Sequence, residues 1–232
     1  METTGLSQEQ CNELSSVFEA QSPERTIDKA LKVIPSLALA CSFGAEDMVL
    51  LDIVMKINPT TTVFYLDTDV LFRETYQLID EAVNKYGIPN LIRVTPRLSL
   101  QEQQEQYGDR LWENNATLCC DLRKVRPLTE FLSSVDGWVT GIRRDQAPTR
   151  ANAQVFERDA KFNVVKVNPL VRWTETDVWS YIRTHKVPYN PLHDNGYPSI
   201  GCAYCTLPVK PGADPRSGRW AGQLKTECGL HK

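Results

Sequence analysis

Between Leu37 and Thr95 short apolar runs alternate with longer stretches of helical spacing, and this alternation restricts the fold more than any other feature of the chain. LALACS at 37–42 reads as a buried strand, followed by FGAED and an apolar helical stretch over Met48–Ile57. TTVFYLD at Thr61–Asp67 is a second strand. Phe72–Tyr86 then carries apolar residues at helical spacing (Phe72, Tyr76, Ile79, Val83) and meets Gly87, a C-cap by residue type. LIRVT at Leu91–Thr95 is a third strand, and further strands are predicted around Trp138–Ile142 and Phe162–Val167, with a helix from about Glu175 to Thr184. Strands separated by helices predict right-handed βαβ units, hence an α/β fold with a doubly wound, mostly parallel, Rossmann-like sheet.

Ser99–Ser134 interrupts the alternation with a long segment that holds Cys119-Cys120 and a helix through Arg126. From Pro188 onward, prolines and glycines preclude long regular elements, while aromatics, cysteines and histidines persist. The expected organisation is an N-terminal helical segment at 1–36, an α/β nucleotide-binding core at 37–187 and an irregular C-terminal extension at 188–232, together one structural domain. With 232 residues the chain is long enough for one substantial core.

Charge and hydropathy remove several functional classes. Lys and Arg number 26 against 29 Asp and Glu, which argues against a general nucleic-acid binder. No apolar run approaches the ~18–20 residues of a membrane span. METTGLSQEQ has neither the basic n-region nor the apolar h-region of an export signal, so a cytoplasmic protein is expected. In that compartment seven cysteines point to metal ligation or thiol chemistry, because thiols there are kept reduced.

In open α/β sheets ligands bind beyond the carboxyl ends of the strands. The first two strands end in Ser42-Phe43-Gly44-Ala45-Glu46-Asp47 and Leu66-Asp67-Thr68-Asp69. A serine, a glycine and free N–H groups at a helix start can hold phosphate, although this is neither a GxGxxG nor a Walker A loop, and an ordinary βα turn capped by Ser42 would look the same. GIRRDQAPTR at 141–150 gathers Arg143, Arg144 and Arg150 near a strand end, and DPRSGRW supplies Arg216 and Arg219. Arginine forks in a net acidic protein fit a small polyanionic substrate.

Cys119-Cys120 and Cys202-Ala203-Tyr204-Cys205 offer four thiolates. They suit a [4Fe–4S] cluster, whose separate corners tolerate adjacent cysteines, or a structural zinc; a redox CxxC would leave the tandem pair without a role. Cys41 and Cys11 read as packing or surface residues. Cys228, in TECGLH near the end of the chain, is a lone thiol able to approach a substrate and then meet a partner. His193 and His231 could titrate near neutrality, but a packing or contact role is the simpler reading for each.

Together SFGAED at 42–47, LDTDVLFRET at 66–75, CCDLRKVRPL at 119–128, GIRRDQAPTR at 141–150, YNPLHDNGYPSIGCAYCT at 189–206 and RSGRW with KTECGLH in 216–231 resemble one family. It is the iron–sulfur branch of the assimilatory adenylyl-sulfate (APS) and phosphoadenylyl-sulfate (PAPS) reductases, and the resemblance runs from Cys41 to His231. It implies an oxidoreductase acting on a sulfur group in sulfate assimilation and cysteine biosynthesis, forming sulfite and AMP, or adenosine 3′,5′-bisphosphate from PAPS. It further implies a [4Fe–4S] cluster on Cys119, Cys120, Cys202 and Cys205, and Cys228 as a nucleophile that passes through an S-sulfocysteine. Lys124, linking cluster and sulfate, and His231, beside the nucleophile, would be catalytic residues with Cys228. Ser42, Phe43, Gly44, Leu66, Asp67 and Thr68 would contact the nucleotide, and Arg143, Arg144, Arg216 and Arg219 its anionic groups. Thioredoxin, or a glutaredoxin-like dithiol, would supply electrons, and a homo-oligomer is expected. Asp69 departs from the glycine many members carry after LDT, bringing a negative charge and a Cβ towards an anionic ligand. The competing readings are an ATP-dependent adenylylating enzyme of the same fold and a zinc-stabilised module without catalysis.

Overall fold

The computed structural model of the chain describes residues 5–223, 225 and 227–230. Its core is a six-stranded sheet in the order β3-β2-β1-β4-β6-β5, built from β1 (Leu37–Ala40), β2 (Thr62–Leu66), β3 (Leu91–Val94), β4 (Gly137–Val139), β5 (Phe156–Asp159) and β6 (Val164–Val167). β3, β2, β1, β4 and β6 run parallel, and β5 pairs antiparallel with β6 as an edge strand that the sequence pattern had not indicated. Its four residues, FERD, lack an apolar alternation strong enough to mark them. Helix α1 (Gln8–Phe18) covers this edge: Ser15 Oγ accepts from the Phe156 N–H at 2.9 Å and donates to the Phe156 carbonyl at 2.5 Å. A hydroxyl bonded to both backbone groups of one edge residue leaves less of the strand open to another chain.

The strands between β3 and β5 are buried on both faces, as parallel strands under crossover helices must be. On one face α2 (Pro23–Val33), α3 (Ala45–Ile57), α4 (Arg73–Tyr86) and α9 (Glu175–His185) enclose the larger core around Leu39, Met48, Leu50, Ile53 and Ile182. α3 is buried almost all round because it lies between the sheet and α9. α4 stops where Gly87 takes the left-handed conformation, φ +58°, as its residue type predicts. On the other face Leu128 and Leu132 pack with Phe64, Trp138 and Phe162.

Ser99–Ser134 resolves into α5 (Leu100–Tyr107), α6 (Leu111–Asn114), α7 (Ala116–Cys120), a π-helical turn over Asp121–Val125, and α8 (Arg126–Leu132). The π turn has a local cause. Pro127 has no N–H to donate, and in an α-helix its ring would press on the carbonyl four residues back, that of Arg123. Widening the preceding turn so that the Arg126 N–H reaches the Asp121 carbonyl moves that carbonyl aside. Beyond α9 the described residues form short 3₁₀ turns at Pro191–Asn195 and Ala203–Cys205 and isolated bridges. No helix among the described residues is long and apolar enough to cross a membrane.

A cleft at the sheet switch point and a thiol cavity behind it

The strand order reverses between β1 and β4: β1 leads through α3 to β2 on one side, and its other neighbour is β4. The carboxyl ends of these two strands part there, as an α/β sheet requires at its switch point. Ser42, Phe43 and Gly44 after β1 and Thr140, Gly141 and Ile142 after β4 line a cleft of about 470 Å³, with Leu66 at the end of β2 also on its wall. Phe43 is held at φ +59°, its buried ring edge-on to Tyr65 at 5.7 Å, a conformation that non-glycine residues adopt mainly where the surroundings enforce it.

The loop after β1 does not offer a free phosphate cradle. Asp47 Oδ2 accepts from the Ser42 N–H at 2.7 Å and from Ser42 Oγ at 2.5 Å. Burial pushes the Asp47 carboxyl up to about 6, opposed by these Ser42 bonds and one from the Gly141 backbone. Gly141 has no room for a side chain, since a Cβ there would strike Asp47 and Glu46. Glu46 is taken by Arg143 Nε at 3.0 Å and Gln146 Nε2 at 2.9 Å. Two carboxylates at the start of α3 therefore leave this end of the cleft suited to the neutral part of a ligand, and cations gather at the other end.

There Lys124, Arg150, Arg216 and Arg219 line the cleft with Cys228, Trp220 and Glu227, whose carboxylate engages Arg150 and Arg216; His193 lines the cleft as well. Arg143 reaches the cleft but is engaged by Glu46, Asp145 and the Trp173 carbonyl, so it organises the wall. Arg144, one of the expected anion-binding residues, lies outside the cleft. It binds both carboxylate oxygens of Glu19 at the end of α1 and, through Nε, the Ala153 carbonyl at 2.8 Å. The left-out member of the same motif, Arg150, takes the place in the cleft instead. Asp67 and Thr68 are also absent from its wall. The Asp67 carboxylate is buried beneath Tyr76 Oη (2.7 Å), the Asp69 N–H (2.8 Å) and Arg93 Nε (2.8 Å), and Thr68 Oγ1 turns to Cys202 Sγ at 3.3 Å. Burial pushes the pKa of His193 below its ordinary value, and its ring packs edge-on against Trp179 at 5.2 Å. His231 lies outside the described residues.

Behind the cleft a second, smaller cavity is lined by Cys119, Cys120, Cys202 and Cys205. Asn115 caps α7 by accepting the Leu118 N–H at 3.0 Å, so the tandem cysteines project from its last turn. Cys202 is bridged to Leu71, with the Ala203 N–H on the Val70 carbonyl at 2.8 Å, and Cys205 accepts from the Trp220 N–H at 3.0 Å. Arg123 ties the two halves together. Buried in the π turn, it donates to the Thr68 carbonyl at 2.7 Å, to Gln103 Oε1 at 3.1 Å and to Asp69 Oδ2 at 2.5 Å. Asp69, at φ +58°, thus spends its charge on Arg123 and Arg93 and does not line the cleft, which answers the concern its sequence raised.

All seven cysteines are unpaired thiols. Burial and the other three sulfurs push Cys119 up to about 12, and burial with Cys202 and Cys120 pushes Cys205 up to about 11. At Cys202 burial also acts upward, but Lys124, the Thr68 hydroxyl and Arg219 together outweigh it and hold the thiol below its ordinary value. Such crowding of sulfur charge calls for a cationic centre. Among the described residues no three Cys, His, Asp or Glu side chains converge closely enough to hold a single metal ion. A multi-iron cluster with separate corners makes a smaller demand on the same four thiols. Lys124, Arg219 and Trp220 belong to the walls of both cavities, and Cys228 packs half-buried beside Cys120, Cys205 and Trp220. Trp220 is wedged there at φ +49°, under the Arg219 guanidinium at 4.6 Å.

A switch-point cleft backed by clustered thiols defines a Rossmann-like α/β protein equipped for sulfur chemistry. The sequence profile described as the phosphoadenosine phosphosulfate reductase domain matches residues 36–208. The chain belongs to that family. It is 49% identical over 222 residues to a protein of Halalkalibacterium halodurans named adenosine 5′-phosphosulfate reductase, covering 95% of this chain and 96% of that one. The crystal structure of phosphoadenylyl-sulfate reductase from Candida auris, a phosphate complex, superimposes with a TM-score of 0.77 at 32% identity, covering 88% of this chain and 98% of that one. The FMN adenylyltransferase of Candida glabrata shares the fold alone, with a TM-score of 0.57 at 18% identity over 94% of this chain and 81% of its own.

Proposed function

We propose that the protein is an oxidoreductase of sulfate assimilation that reduces adenylyl sulfate to sulfite and AMP, with a thioredoxin-type dithiol as electron donor, in the cytoplasm. The observation that carries this reading is the position of Cys228 and Lys124 on one cleft wall, with the four-thiol cavity directly behind. The named relatives supply the substrate class: adenosine 5′-phosphosulfate for the bacterial protein, phosphoadenylyl sulfate for the fungal one.

The nucleoside would lie against Phe43, Gly44 and Leu66, with its phosphosulfate towards Lys124, Arg216 and Arg219. Cys228 thiolate attacks the sulfate sulfur. The new S–S bond forms as the bond from sulfur to the bridging oxygen breaks, and AMP leaves with that oxygen. One thiolate of the dithiol then attacks Cys228 Sγ and sulfite departs. The second thiol resolves the mixed disulfide, so the dithiol is oxidised to a disulfide as the sulfur gains two electrons. An anionic nucleophile meeting an anionic sulfate is the main obstacle. The cations at this end of the cleft offset that repulsion and stabilise charge on the leaving phosphate.

Cys119, Cys120, Cys202 and Cys205 would hold a [4Fe–4S] cluster. When bound it supplies a fixed charge next to Lys124 and joins α7 to the C-terminal extension, without carrying the electrons. Anaerobic purification followed by iron and sulfide analysis, and turnover of adenylyl sulfate against its 3′-phosphorylated form, tests the reading. About four irons per chain, sulfite formed with dithiol, and no turnover by Cys228→Ser are the expected results. A colourless, zinc-loaded protein with a dispensable Cys228 would favour the non-catalytic module, and pyrophosphate release from ATP the adenylylating enzyme.

A further inference from the structure

Glu227, next to the proposed nucleophile, is 4% exposed and lies among arginines. Its Oε1 accepts from Arg150 Nε at 3.1 Å and from Thr149 Oγ1 at 3.4 Å, and its Oε2 from Arg150 Nη2 at 3.1 Å and Arg216 Nη2 at 3.0 Å. The Arg150 contact is a two-bond fork, the strongest and most directional form of carboxylate recognition. Arg150 comes from the 3₁₀ turn after β4, and Arg216 from the turn that begins at Asp214, whose Oδ1 accepts the Arg216 N–H at 2.8 Å. One carboxylate therefore joins the tail to a turn 11 residues before it and to the turn after β4, 77 residues away.

Gly229 and Leu230 are held by fewer polar contacts. The Gly229 carbonyl accepts from exposed Lys161 Nζ at 2.5 Å, and half-buried Leu230 packs against the apolar cluster around Phe64 and Trp138. With the tail in place the cleft still measures about 470 Å³ and has Cys228 on its wall, so the tail is docked beside the ligand space without filling it.

We infer that Glu227 is the positioning residue that docks the Cys228 thiol, with Arg150 and Arg216 as the clamp that holds it in the cleft wall. The inference rests on Cys228 being the nucleophile. Cys228 itself is half-buried on the cleft wall beside Cys120 and Trp220, one residue from the clamped carboxylate. Removing one partner of a buried ion pair leaves an uncompensated charge, so the carboxylate holds the docked arrangement firmly.

The test is alkylation of the substrate-free, cluster-loaded protein with iodoacetamide, following the tail peptide by mass spectrometry, together with AMP binding and steady-state kinetics. For Glu227→Gln the modification rate of Cys228 is expected to rise about tenfold or more, with kcat lowered and AMP affinity and visible spectrum retained. Arg150→Gln leaves the tail sequence intact and is expected to raise the same rate. Equal alkylation in wild type and both variants would overturn the inference. So would a Glu227→Gln protein that binds nucleotide more tightly with kcat preserved, because Glu227 would then be a competing anion and not a dock. Thiol protection is read without substrate. Failure of the clamp is thereby distinguished from failure of the nucleophile, which would show as absence of a sulfo adduct on wild-type Cys228.

Discussion

Lys124 faces sulfur on two sides: its ammonium bonds to Cys202, and the thiolate charges of Cys202 and Cys228 raise its pKa even though burial works against the charged form. On the proposed mechanism this cation sits between the nucleophile and a cluster ligand, where charge builds during sulfur transfer, and its removal should slow chemistry more than binding. Lys124→Gln is expected to lower kcat by about 10²–10³, the usual loss for one preorganised donor, with little change in AMP affinity. Equal effects on kcat and on AMP binding would make Lys124 a general anion contact. Asp47 gives a second prediction, in stability. Its folded pKa, about 6, lies above the ordinary value of 3.8, so between those limits the folded state binds the proton and the unfolded state does not. The contribution of Asp47 to stability therefore falls as pH rises through that window. Denaturant unfolding of Asp47→Asn should lose less stability than wild type as pH rises from 4 to 6, and parallel curves over that range would contradict the assignment. The sequence marked Lys124 and Cys228 as candidates through their motifs, and both line the cleft. Arg144 and Arg150 could not be sorted the same way, because the choice between Glu19 and Glu227 as partner depends on where α1 and the tail come to rest.

Among the elements, the π turn at Asp121–Val125 has the longest reach, since it aims Arg123 inward between α7 and the loop after β2. Asp69 anchors that arginine from a left-handed conformation, which an aspartate tolerates and an alanine does not. The expected order of stability at this position is Asp, then Gly, then Ala. Glycine loses only the ion pair, whereas alanine adds about 1 kcal/mol of backbone strain. Anaerobic thermal melts with iron retention would check it, and Ala equal to Gly would remove the backbone part of the argument. Helix and strand positions were legible wherever apolar spacing was regular, as in α4 with its Gly87 stop. The segment 99–134 read only as a long stretch with one helix. Its four short helices take their register from Asn115, Pro127 and the buried Arg123, whose partners are distant in sequence.

Seen as a whole, the molecule places its chemistry where two independent constraints coincide. The reversal of strand order opens the cleft between β1 and β4, and the cysteine-bearing segments close around its cationic end. The alternation of strands and helices foretold the parallel sheet. It could not foretell that the loop after β1 turns its carboxylates inward, because that depends on Gly141 admitting Asp47 from across the switch point. The central claim is that Cys228 takes the sulfo group from the nucleotide. The most direct measurement is a single turnover without dithiol: anaerobic protein mixed with adenylyl sulfate, quenched, and analysed by intact and peptide mass spectrometry alongside nucleotide release. The account predicts the mass of one SO₃ group on the Cys228 peptide, one AMP per chain, and release of sulfite when a dithiol is added. AMP formed with no adduct on Cys228, or an adduct on any other cysteine, would contradict it.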